Sequence, residues 1–226
     1  MPFGSVLLFF QKDAMTYLHT LETIVTNTIA PAAQATDRDS AFPRAAIQAL
    51  GKAGLLGLVS AKDVGGLGLG SGEATQAIER ISKASPSPAM VVTMHYCGTT
   101  VIEKLGNDAT RRDIAAGKHL TTLAWSDTGS RSHFWAPVGS ARMEGSDAIL
   151  DGSKTMVTSA GEADSYVWST KPAATEGAST LWQVDSKLPG LSGPKFFDGM
   201  GLRGNRSSPM LAQSLRVPAS TLLGTD

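Results

Sequence analysis

The apolar residues of this chain change their spacing once, at about His119, and that change limits the fold more than any other feature of the sequence. Upstream they recur every three to four residues, the period of one helix face. Downstream they gather into short runs rich in Thr, Val, Trp and Tyr, separated by Gly, Asp, Pro and Ser, which is the pattern of strands and turns. Helices first and strands second make an α+β chain, not an alternating α/β one.

In the first part, Asp39-Ser40 and Pro43 are start signals for a helix whose apolar positions are Ala46, Ile47, Leu50, Gly54, Leu55 and Leu58. The stretch "DVGGLGLGSGE" then interrupts the pattern with five glycines. Ser71 is placed to cap a second helix carrying Ala74, Ala77, Ile78 and Ile81, and "SPSP" ends it. Residues 88–105 are apolar nearly all round, the mark of a buried helix, so Cys97 within them is expected to pack in the core. Asn107 or Asp108 caps a short last helix that stops at Gly117.

In the second part, "LTTLAWS", "WAPVGSARM", "AILDGSKTMVT", "SYVWST" and "STLWQVD" read as strands of an antiparallel sheet or small barrel. The expected organisation is an N-terminal extension at 1–12, an α-helical bundle at 13–118, and a mostly antiparallel, β-barrel-like domain at 119–226.

Composition narrows the function classes. Twenty Lys plus Arg balance twenty Asp plus Glu, so nothing favours a nucleic acid or an anionic membrane as partner. The single cysteine excludes an internal disulfide and suits a reducing compartment. The apolar run Val6–Phe10 is too short for a signal peptide and lacks a basic flank, and no segment has the roughly 18 apolar residues of a membrane span, so a cytoplasmic protein is expected. His19, His95, His119 and His133 are scattered without ligand spacing, and no metal site is expected. There is no Gly-x-Ser-x-Gly, and "GGLGLG" has neither a preceding strand nor a following Walker lysine, so it reads as a turn between helices. Asp127 stands out among the carboxylates because it sits in a Ser/Thr/Gly turn leaving a strand. The run "GSKTMVTSAGEADSYVWST" ends a strand on Thr158 and Ser159, which is either an ordinary polar strand end or a place to hold something flat and polar.

Four segments, taken in order, resemble the acyl-CoA dehydrogenase family. "FPRAAIQALGKAGLLGLVSAKDVGGLGLG" is similar to its N-terminal helical segment, and "TTLAWSDTGSRS" stands where the family carries Tyr-Ala-x-Thr-Glu-Pro-x-Ala-Gly-Ser-Asp. "LDGSKTMVTSAGEADSYV" resembles Gly-x-Lys-x-Trp-Ile-Thr-Asn-Ala-x-x-Ala-Asp, and "GMGLRGNRSSPMLAQSLRVPASTLLG" the close of the middle domain. The resemblance implies FAD, gripped by two strand ends, Leu123 to Ser132 and Met156–Val157–Thr158. On that match Leu123 and Trp125 offer backbone groups, Ser126 hydrogen-bonds the pyrimidine edge, Met156 takes the place of a tryptophan against the ring, and Thr158 faces flavin N5. Ser132 matches a serine near the FAD phosphates and the acyl thioester end, and so belongs to the substrate as well.

The match has departures. Ser126-Asp127-Thr128 replaces Thr-Glu-Pro, Arg131 stands for glycine and His133 for aspartate, which makes the usual fatty acyl substrate doubtful and leaves an acyl thioester or related small molecule. Family members continue into a four-helix bundle that supplies the catalytic carboxylate in most branches. No residue here matches that base, so the resemblance implies a homo-oligomer or a chain that supplies the bundle, and an unusually large apolar surface without it. Three readings stay open: an acyl-CoA dehydrogenase-like oxidoreductase acting on CH–CH groups, a binding or scaffold protein that keeps the fold, and an oxygen-using flavin monooxygenase relative.

Overall fold

The computed structural model describes residues 17–131, 133–173, 177–193 and 195–224. Expectations for residues 1–16 and for Ser132 lie outside the described residues. Residues 17–24 are helical, pass through a π-helical turn at Val25–Ile29, and continue as α1 (Ala30–Arg38). Then follow α2 (Arg44–Lys52), α3 (Ser71–Ala84), α4 (Pro86–Leu105) and α5 (Asp108–Ala115). Tyr17, Leu21, Ile47, Leu50, Ala77, Ile81, Val91 and Val92 close a single helical core.

Local chemistry corrects three details of the sequence reading. The first helix face was expected to run to Leu58, but α2 ends at Lys52. Gly54 follows at φ +73°, a left-handed backbone that glycine adopts without strain. Leu55, Leu56 and Leu58 still enter the core, from a loop and not from a helix. Gly70, not Ser71, is the N-cap of α3, and its N–H donates to Glu73 Oε2 at 3.0 Å. Asn107 caps α5 as expected, its Oδ1 accepting from the Thr110 N–H at 2.9 Å. Cys97 is the third correction. It is exposed, because one stripe of α4 that includes Thr100 faces outward while His95, Gly98 and Thr99 face in. Partial desolvation raises its thiol pKa.

The β part holds seven strands: β1 (Thr121–Ala124), β2 (Ser140–Glu144), β3 (Asp147–Val157), β4 (Ser165–Thr170), β5 (Thr180–Asp185), β6 (Leu191–Ser192) and β7 (Ser208–Pro218). They form two sheets, ordered β1-β4-β5 and β2-β3-β7-β6, and not a closed barrel. All pairs are antiparallel except β1 with β4, which run parallel from Thr121↔Ser165 to Ala124↔Trp168. β4 is buried along its whole length, and Tyr166, Trp168, Trp182, Leu150 and Leu215 fill the space between the sheets. The sequence reading missed β7, although this strand pairs with β3 along most of its length.

Helices and sheets meet at a third cluster, Ile102, Ile114, Val167 and Leu223, with Leu123 and Trp125 packed against it. His95 fastens this joint. It is fully buried on α4, its Nδ1 accepts the Thr121 N–H at 3.2 Å, and its Nε2–H donates to the Leu56 carbonyl at 3.1 Å. A close backbone approach does the same elsewhere. A Cβ on Gly117 would lie 2.3 Å from the Gly51 carbonyl oxygen, and Gly117 also sits at φ +68°, so only glycine fits there.

Candidate functional site

The end of β1 and the end of β3 come together although the residues that meet there are 25 to 29 positions apart in sequence. Beyond Ala124 the chain leaves its sheet, and Asp127 makes a single antiparallel bridge with Lys154 of β3, joining the two sheets at this point. The Thr128 N–H donates to the Ser153 carbonyl and the Thr155 N–H to the Ser126 carbonyl, both at 2.8 Å.

The side chains of that bridge form a buried ion pair. Lys154 Nζ lies 2.8 Å from Asp127 Oδ1, and both side chains are at most 1% exposed. Lys154 also donates to the Ser169 carbonyl at 2.7 Å and to Ser169 Oγ at 2.9 Å, while Asp127 Oδ2 accepts the Val138 N–H at 2.8 Å. Desolvation lowers the Lys154 pKa, and the carboxylate opposes that shift. A buried pair of this kind adds little net stability, yet losing one partner would strand the other charge. It fixes where two backbone segments end.

A cavity of about 280 Å³ opens at those ends, lined by Met94, Leu123, Trp125, Ser126, Phe134 and Met156. Four of the residues singled out in the sequence, Leu123, Trp125, Ser126 and Met156, therefore share one space. Val157 and Thr158 do not line it. Val157 is in the sheet core, and the Thr158 hydroxyl is buried and shares a 3.2 Å hydrogen bond with Ser207. The next residue, Ser159, takes a left-handed backbone at φ +58°, and its N–H donates to the Asn205 carbonyl at 3.0 Å, so the β3 end is tied to the turn before β7.

Three features suit this cavity to a flat, partly polar ring. β1 is an edge strand, and its outer edge offers backbone groups beside Leu123 and Trp125. The Ser126 hydroxyl makes no hydrogen bond among the described residues, and the Trp125 indole N–H is buried without an acceptor. The pairing of β3 with β7 is irregular between Lys154 and Val157, and Met156, inside that irregularity, is 65% exposed. None of the six lining residues is charged, so the cavity holds neither a metal set nor a carboxylate base. Among the described residues no group of His, Cys, Asp and Glu is arranged to hold a metal, and no helix is long and apolar enough to cross a membrane.

The sequence reading missed three residues. Met94 was hidden in a helix that is apolar nearly all round, and Phe134 lies in "SHFW", where Arg131 and His133 had drawn notice. Lys154 in a strand reads as a surface residue, and only the cross-sheet bridge shows it buried.

Comparison with known proteins bears on the family and the fold. Residues 12–117 match the model of the acyl-CoA dehydrogenase N-terminal domain, and residues 122–214 that of the middle domain. An acyl-CoA dehydrogenase of Bacillus subtilis (strain 168) is 28% identical over 205 residues, 88% of this chain and 54% of the relative. The mitochondrial isovaleryl-CoA dehydrogenase of Pongo abelii is 30% identical over 208 residues, 87% of this chain and 49% of the relative. The structure of butyryl-CoA dehydrogenase from Megasphaera elsdenii superposes with a TM-score of 0.85 at 20% identity, covering 95% of this chain and 59% of that one. The chain thus spans about half the length of the curated relatives it matches. With both domain models matched in order along most of its length, the chain belongs to the acyl-CoA dehydrogenase family.

Proposed function

We propose that this chain is the FAD-holding portion of an oxidoreductase that acts on the CH–CH bond of an acyl thioester or a related small molecule. The observation that carries this reading is the convergence of Leu123, Trp125, Ser126 and Met156 on one uncharged cavity at two locked strand ends, in a chain of this family. FAD, when bound, supplies the hydride acceptor. Ser126 and the backbone of Leu123 and Trp125 are the groups that would hold its polar edge, and negative charge gathering there on reduction is stabilised by such donors. Met156 would carry the β3 side of the site, with Val157 and Thr158 behind it holding the strand end, and Ser132 would serve the phosphates and the thioester end.

Removal of an α-proton requires a base, and none of the six lining residues accepts a proton at neutral pH. In this reading that base comes from beyond the lining of the cavity. The same observation favours a second reading, in which the chain binds without turning over.

The test is to purify the chain, add FAD, and measure the visible spectrum and flavin content after gel filtration. About one flavin per chain is expected. No retained flavin at any loading concentration would overturn the proposal. Retention without reduction by any acyl thioester would select the second reading.

A further inference from the structure

We infer that Phe134, backed by Trp125, supplies the aromatic face that holds the flavin ring in this chain. The inference rests on the FAD reading above and assigns a ligand contact outside the two strand ends. The Phe134 ring is stacked on Trp125 with centroids 5.8 Å apart and planes 22° from parallel. Trp135 meets Phe134 edge-on at 5.0 Å and 83°, and Trp135 itself stacks on His133 at 4.9 Å and 25°. Four rings thus stand in a continuous run whose inner members, Trp125 and Phe134, line the cavity.

The run is held in place from its base. The Ser130 hydroxyl donates to the Asp127 carbonyl at 2.9 Å, the His133 N–H to the Ser130 carbonyl at 3.0 Å, and the Ala136 N–H to the His133 carbonyl at 3.0 Å. Successive turns therefore mount Phe134 on the buried Asp127. Even so, Phe134 is 50% exposed and Trp135 58% exposed. Single exposed apolar residues are ordinary, but here Phe134 and Met156 line one cavity and Trp135 packs against Phe134 beside it, and such a cluster marks a surface that something covers.

The covering group is best matched by a planar aromatic ring. The lining carries no charge to attract a phosphate or carboxylate, and stacked aromatic pairs are favoured at centroid separations of about 4.5–7 Å. β3 contributes only Met156, a flexible thioether with no flat face. The flat partner for a flavin is therefore on the loop after β1. An electron-rich indole or phenol against an oxidised flavin quenches its fluorescence, whereas a phenyl ring does not, so placing such a ring at position 134 or 156 gives a readout independent of turnover.

The experiment titrates the full 226-residue chain with FAD, reading dissociation constant and residual flavin fluorescence together, for wild type, Phe134→Leu, Phe134→Tyr, Met156→Leu and the double variant Phe134→Leu/Met156→Trp. Phe134→Leu should weaken FAD by about three- to tenfold. Phe134→Tyr keeps a ring and should match wild type in affinity while lowering the fluorescence of the bound flavin, and Met156→Leu should change binding less than Phe134→Leu does. The double variant places an indole on another wall of the same cavity and should regain affinity and deepen the quenching. Wild-type affinity in Phe134→Leu, unchanged flavin fluorescence in Phe134→Tyr, or a larger effect from Met156→Leu overturns this inference while the FAD reading stands. A wild-type chain that takes up no FAD overturns both.

Discussion

The frame of the cavity and its rim are built on opposite physical terms. The frame is buried and polar: β1 is fastened at its start by the Thr121 N–H to His95, and just past its end by Asp127 on Lys154. The rim is apolar and open: Phe134, Trp135 and Met156 each expose half or more of their surface. In a typical domain the apolar groups are inside and the charges outside, so the inversion points to a site. A frame of satisfied polar groups sets backbone positions uniquely, while a rim of unsatisfied apolar area keeps binding energy in reserve for a ligand.

The largest effect should come from breaking the ion pair. Asp127→Ala leaves the Lys154 ammonium buried and the Val138 N–H without its acceptor, and should cost about 3–5 kcal/mol in urea unfolding. Replacing both partners by apolar residues (Asp127→Leu with Lys154→Met) should recover much of that loss. If the single and double variants unfold alike, the pair does not hold the frame.

Acid should loosen the other end of β1. Burial pushes the His95 imidazole from 6.5 down to about 4, against the hydrogen bond to Leu56 that favours its charged form. Between those values the unfolded chain binds a proton that the folded chain refuses, so stability is full above pH 6.5 and falls as pH drops toward 4, by about 3 kcal/mol. Comparing unfolding free energies of wild type and His95→Asn across that window isolates the contribution. The variant should show a flatter slope, and an unchanged slope would assign the acid sensitivity to other groups.

Ser130→Ala tests the step between frame and rim. It removes the hydroxyl that bonds the Asp127 carbonyl and should cost about 1 kcal/mol by the same unfolding measurement. At the rim itself, Phe134→Leu and Trp135→Ala should move stability by no more than about 0.5 kcal/mol, as exposed positions do. A rim variant as destabilised as Asp127→Ala would erase the distinction between the two regions.

How much of this was visible beforehand follows from the range of each interaction. The switch of period at His119, the five strand runs and the Asn107 cap are local patterns, and the sequence reading found them. β7 was missed because "SPMLAQSLRVP" mixes polar and apolar residues and carries proline near both ends, so it reads as a turn-rich segment. Cys97 was misplaced because apolar character on all sides of α4 does not reveal which stripe lies uncovered. Asp127 was noticed, but its partner was not, since only the bridge to β3 brings Lys154 to it. Likewise the resemblance pointed to Trp125, Ser126 and Met156, while the stacking of Phe134 depends on how the loop after β1 folds back on Trp125.

The parallel pairing of β1 with β4 also sets an order of events. Thr121 pairs with Ser165, 44 positions later, and parallel neighbours cannot be joined by a tight hairpin. The intervening chain instead makes β2 and β3, which turn directly into each other with Glu144 opposite Asp147. That hairpin closes over a short loop, whereas β1 must wait for a strand not yet emerged from the ribosome. By sequence separation the β2–β3 hairpin closes before the β1–β4 pair, and β3 with β7 spans further still, from Asp147 to Pro218. Both walls of the cavity therefore depend on long-range pairing, so refolding should show ligand capture returning after the helical signal.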